Sequence, residues 1–260
     1  MTADVKEPPA RPLRRRSVSG WLLVATALSA CGLVFWSAFT TVRALVGAAD
    51  VVTIAQMLER RTEKSPDVDP DLLDKVAKDQ NIDELANSCF GVIAKAVLTY
   101  RIARFDQAGD DPRLKDERLT DVERAATAVL RCQPLDGNAW LILARIADAK
   151  GKPPEEVDRL LRRSFWLAPA EGWIIRNRFL ALAPRIETGQ TALASEFSLD
   201  AIRIVRHFPI KDVSELYIAQ GPKVREIMAR EIFRLRERRR DPIIRLVDQL
   251  GVTVRKPSEP

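Results

Sequence analysis

Between Val18 and Val42 the chain carries no Asp, Glu, Lys or Arg, and most of its side chains are apolar. At about 1.5 Å of rise per residue such a run crosses a hydrocarbon core of roughly 30 Å, so the pattern predicts a transmembrane helix over 20–42. Downstream the pattern changes to helical periodicity. Residues 44–63 continue the helix, and Ser65 to Pro70, with two prolines and no apolar rhythm, reads as a linker. A short helix is predicted from Pro70 to Lys78. A long one follows from Ile82 to Phe105, where Leu85, Cys89, Val92, Ala96 and Ile102 recur at three- and four-residue steps.

The next helices are marked by their ends. Thr120 and Glu123 read as a capping box opening a helix that stops at Pro134. Asp136 caps a helix through Trp140, Leu141, Leu143 and Ala144 that ends at Lys150-Gly151. Pro153-Pro154-Glu155-Glu156 starts another, running to Pro169. Gly172 to Ala183 and Gln190 to His207 complete this stretch. Near the C-terminus, Asp212 starts a short helix and Gly221-Pro222 precedes an amphipathic one. Asp241-Pro242 reads as the N-cap and first turn of the last. Every element read from the pattern is a helix, so the expected fold class is all-α.

Composition sharpens this picture. Glycine is scarce, 11 in 260 residues, and charged residues make up 30%, as in a helical domain. The first nineteen residues hold five basic groups against Asp4 and Glu7, a net +3, whereas Arg43, Arg60 and Arg61 face Asp50 and Glu59 beyond the apolar run. The positive-inside rule then predicts a cytoplasmic tail over 1–19 and a periplasmic domain beyond the bilayer, an inner-membrane, single-pass signal anchor. A cleaved signal has a shorter apolar region. Leu28-Ser29-Ala30-Cys31 also matches a lipobox, which keeps lipidation of Cys31 open, although Gly32 to Trp36 stays apolar. The formal charge of +6 is modest, and nucleic acid is not an expected partner. Between residues 225 and 256 ten basic and five acidic groups give +5. This segment reads either as a capping helix with a solvated arginine face or as a basic helix on anionic lipid.

The run from Pro134 through Trp140, Leu143, Ala144, Gly151 and Ser164 to Pro169 resembles a tetratricopeptide repeat, TPR-like in its aromatic, leucine–small pair, inter-helix glycine, small packing residue and closing proline. The prolines recur at about the 34-residue period of that family. The resemblance implies an antiparallel helix-pair solenoid over 82–210, after a juxtamembrane helix and linker over 43–81 and before capping helices and a tail over 211–260. An irregular helical bundle with one matching hairpin would give the same pattern. In a helix pair the start of the first helix neighbours the end of the second. Cys89 and Cys132 therefore stand where a disulfide is possible, with a pair of buried thiols as the alternative. The segments around Pro134 and Pro169 also loosely resemble repeat proteins that accompany bacterial envelope polysaccharide assembly.

No catalytic motif is recognisable. HExxH, CxxC, GxSxG and phosphate-binding glycine loops are missing, and the one histidine, His207, stands near a helix C-terminus. The expected function is a membrane scaffold, not an enzyme and without cofactor or metal. It would hold the bilayer through residues 20–42 and bind another envelope protein, with Trp166 and Trp173 as groove residues. The alternatives are a carbohydrate-binding module using Trp173 and an accessory subunit acting through its membrane helix. A topology reporter fused after Pro260 is expected to work only outside the cytosol; activity confined to the cytosol would reverse the orientation.

Overall fold

The computed structural model describes residues 18–59, 73, 75, 82–87 and 89–256. The expected linker over 65–70, most of the helix over 70–78 and the arginines at 14–16 lie outside the described residues. Among the described residues there is no strand, and the chain divides after Gly47 into two compact units.

The first unit is α1 (Val18–Gly47). Its segment Val24–Arg43 is the described helix long and apolar enough to cross a membrane. Leu33, Phe35 and Trp36 stand exposed on it. Its hydroxyls are turned back onto the helix: Ser29 donates to the Ala25 carbonyl (2.9 Å) and Thr41 to that of Ser37 (2.8 Å). That is the arrangement a hydrocarbon surround requires of a polar side chain. Cys31 is a free, exposed thiol.

The second unit opens on Ala48, a buried residue in a turn. α2 (Ala49–Glu59) is therefore not a continuation of α1: Val51, Ile54 and Ala55 are buried and the helix packs on α4. The predicted helix over 82–105 is two elements, α3 (Ile82–Asn87) and α4 (Gly91–Asp106). Cys89 between them has φ +55°, and a Cβ on Gly91 would lie 1.5 Å from Gln133 Nε2. The expected apolar stripe does not run through this break: Cys89 and Val92 are exposed, and α4 buries Ile93, Ala96, Val97 and Tyr100 instead.

α5 (Pro112–Cys132) starts earlier than the Thr120 box. Asp111 accepts from the backbone N–H of Arg113 (2.9 Å) and Leu114 (3.2 Å), with Pro112 in the first turn. Thr120 is mid-helix and donates to the Asp116 carbonyl. α6 (Gly137–Ala149) has its N-cap at Asp136, which accepts from Ala139 N–H (2.9 Å). The chain leaves it through Gly151 at φ +65°. α7 (Pro154–Leu167) starts at its proline, and α8 (Gly172–Thr188) carries Pro184 inside its last turn. α9 (Ala194–His207) and α10 (Ile210–Ile218) follow, then α11 (Pro222–Phe233) and α12 (Glu237–Gln249).

Three further boundaries differ from the sequence reading, each through a long-range bond. α8 runs past Pro184 because Arg185 is tied to Asp148, Asp158 and the carbonyls of Pro154 and Gln190. α9 starts after Gln190 because Asp158 accepts from Thr191 Oγ1 (2.8 Å) and Ala192 N–H (2.7 Å). α12 begins a turn before Asp241, and Pro242 lies within it. In that extra turn Arg239 donates to the carbonyls of Val205 (2.9 Å) and Phe208.

Consecutive helices pack as hairpins: α4 on α5, α6 on α7, α8 on α9. Each hairpin meets the next through its first helix, α5 against α6 and then α6 and α7 against α8. After α9 the order breaks, with α11 lying on α8 and α9 while α10 packs on α12. At the centre of this packing Arg178 and Asp200 are both fully buried. Arg178 Nε and Nη2 donate to the two carboxylate oxygens at 2.6 and 2.9 Å, and Nη1 reaches the carbonyls of Ser164 (3.1 Å) and Ala168 (3.3 Å). Breaking such a pair from one side leaves a charge stranded. Asp200→Asn is therefore expected to lose about 3–5 kcal/mol of stability. The double change Arg178→Met, Asp200→Leu should recover much of it in urea unfolding; equal losses would mean the pair is not coupled.

Candidate functional site

The residues of the repeat-like run are brought together and given separate tasks. The Trp140 indole N–H donates to the Pro134 carbonyl (2.9 Å), and the Arg163 guanidinium lies 4.6 Å above its ring. Trp140 and Leu143 are half-buried and Ala144 is fully buried. Ser164 is buried beneath Arg178. Pro169 is exposed in the turn before α8. Gly137 is the position that hairpin contact depends on most closely, since a Cβ there would fall 2.5 Å from the Ala168 Cβ. Cys89 and Cys132 are bonded, their α-carbons 5.1 Å apart, which staples the start of α4 to the end of α5. On the loop-entropy account a closed loop of this size restricts the unfolded chain by about 3–4 kcal/mol.

Two cavities open along the first helices of the three hairpins. One, about 290 Å³, lies between α4 and α6 over α5, with Ile102 and Phe105 on one side, Leu119 and Val122 on its floor, and Ile142 and Ile146 opposite. The other, about 240 Å³, lies between α6 and α8 over α7. Val157 and Leu161 form its floor, and Leu180, Ala181 and Pro184 its far wall. Arg145 and Ala149 belong to both. The two cavities are thus consecutive parts of one groove across α4, α6 and α8.

The charged lining of this groove is Asp106 at the first cavity, Arg145 on the ridge, and Asp148 with Arg185 at the second. Asp148 is taken up by Arg185. Arg145 stands exposed on the ridge between the cavities and makes no ion pair among the described residues. Arg185 Nε, in the wall of the second cavity, is the buried side-chain polar atom without a partner among the described residues. An occupant would thus meet apolar hollows on either side of a cation, a geometry for holding an apolar segment with a carboxylate between its anchors.

Trp166 and Trp173 line neither cavity; they are 72% and 57% exposed. Arg145, Ile142 and Leu180 were not singled out from sequence. Their signal is that α6 is apolar on nearly every face from Trp140 to Ala147, the mark of a helix with neighbours on more than one side. A third cavity, about 680 Å³, lies near the C-terminus beside Tyr217, Arg225 and Arg255. Burial pushes the Tyr217 phenol above its ordinary value, while Arg225 and Arg255 pull the other way. On the second hairpin's outer side Arg162 bonds Glu196 (3.4 Å). Burial favours the neutral Glu196 acid, yet bonds from Ser195, its own backbone and Arg162 together hold it below the usual value.

No protein-family model, no curated protein and no solved structure matches this chain.

Proposed function

We propose that the chain is a membrane-anchored, non-enzymatic scaffold whose TPR-like stack of hairpins binds a segment of another envelope protein in the groove across α4, α6 and α8. The observation that carries this reading is the pair of largely apolar cavities flanking Arg145, which makes no ion pair among the described residues. Apolar hollows supply affinity, and the exposed cation on the ridge between them fixes which way the segment lies. The hairpin order, with each pair meeting the next through its first helix, supports the solenoid reading. α1 supports a single-pass anchor. The Cys89–Cys132 bond supports a domain on the oxidising, periplasmic side, as expected from the basic N-terminal flank. Within that compartment a role beside polysaccharide assembly is the narrower form of the proposal.

The test is site-specific photocrosslinking of the full chain in native membranes. Crosslinkers at Arg145 and Leu180 are expected to capture the same protein, and one at Arg159, on the outer side of α7, to capture none. Arg145→Glu should cut the yield from position 180 about tenfold, a change of roughly 1.4 kcal/mol. Capture from Arg159 alone would refute the groove. Glycan binding by the full chain without any protein adduct would favour the carbohydrate reading, for which the exposed Trp173 ring is the supporting feature.

A further inference from the structure

We propose that the turn edge of the globular unit, carrying Leu135, Trp166 and Trp173, rests on anionic phospholipid headgroups. The three side chains are 74%, 72% and 57% exposed, and the fold sets them along one edge. Gly137, two residues after Leu135, abuts Leu167 and Ala168, and Gly172, beside Trp173, lies against Phe208. Arg239 then ties Val205 and Phe208 to the start of α12. The turns after α5, α7 and α9 therefore form a continuous margin.

Its chemistry is that of a bilayer interface. Trp140 donates its N–H to a carbonyl, whereas no hydrogen bond is found for the indole N–H of Trp166 or Trp173 among the described residues. An indole with one face apolar and its N–H unsatisfied belongs where hydrocarbon meets headgroup. Arg163 and Arg176 stand one helical turn from Trp166 and Trp173, Arg163 lying over the Trp140 ring, and Arg206 and Arg238 flank the bonds from Arg239 to Val205 and Phe208; none of the four has an acidic partner among the described residues, against Glu171 and Asp212 on the same margin. Neither ring borders any of the three cavities described above, so a small ligand would have nothing to enclose it. A cationic, aromatic margin complements a broad anionic surface. The inference needs the membrane anchor of the proposed function but not the groove.

The test uses the full chain with Cys31→Ser and one new cysteine labelled with bimane, in nanodiscs of phosphatidylglycerol or phosphatidylcholine. Ala170→Cys reports on the turn between the two tryptophans; Lys152→Cys reports on the opposite end of the same hairpin. Iodide quenching at position 170 is expected to fall at least about threefold in phosphatidylglycerol relative to phosphatidylcholine, and to recover at high salt. Trp166→Ala with Trp173→Ala should abolish the protection, and position 152 should stay quenched in both lipids. Equal quenching at 170 in the two lipids would overturn the inference, as would protection that appears only on adding a glycan or a second protein. Failure of the protein to enter discs at all would instead count against the anchor.

Discussion

Arg178 sits where three helices would otherwise each leave something unsatisfied. The end of α7 presents the Ser164 carbonyl, which also accepts the Ala168 N–H, and the Ala168 carbonyl beyond it; α9 buries the Asp200 carboxylate, and α8 places a guanidinium between them. Helix C-termini carry partial negative charge and unpaired oxygens. A planar cation with five donors answers both needs at once. Arg203 adds a second cation on Asp200 at 3.0 Å, and the Phe165 ring lies 5.1 Å from the Arg178 guanidinium carbon. The stacked Phe179–Phe197 pair, 4.7 Å between centroids, and the apolar core around it pack against this fixed point.

The same device recurs through the second half of the unit. Arg185 takes the Gln190 and Pro154 carbonyls, Arg225 those of Tyr217 and Ile218, and Arg239 those of Val205 and Phe208. Much of the arginine that makes the C-terminal region look basic is thus engaged in closing helix ends and joining elements. Arg234 and Arg240 are also paired, with Glu231 and Glu237. Arg225, Arg234, Arg239 and Arg240 are thus held within the fold, while Arg238 is exposed.

What the sequence carried plainly was local. The Asp136 cap, the Pro154 and Pro222 starts and the Gly151 exit follow from side-chain chemistry within one turn of the chain, and all stand where that chemistry puts them. The cysteine pair was legible because hairpin geometry alone makes the two ends neighbours. The misread boundaries at Cys89, Pro184, Asp158–Ala192 and Pro242 are set by partners far along the chain, whereas the Thr120 start was displaced by another local signal, the Asp111 cap with Pro112 behind it. Proline normally ends a helix, and only the arginine anchored across three elements explains why α8 continues. The groove was hidden for a related reason: Arg145 looks like an ordinary surface residue until α4 and α8 are set on either side of α6.

The break in hairpin order after α9 sets a limit on what the molecule can hold. Because α11 lies along α8 and α9, it takes the flank on which a fourth hairpin would be added. The row of first helices therefore ends at three. α4 and α6 are joined through α5, and α6 and α8 meet over α7, so the proposed groove crosses two intervening helices and stops at α8. An occupant of that groove would find two hollows and no third, whatever its own length.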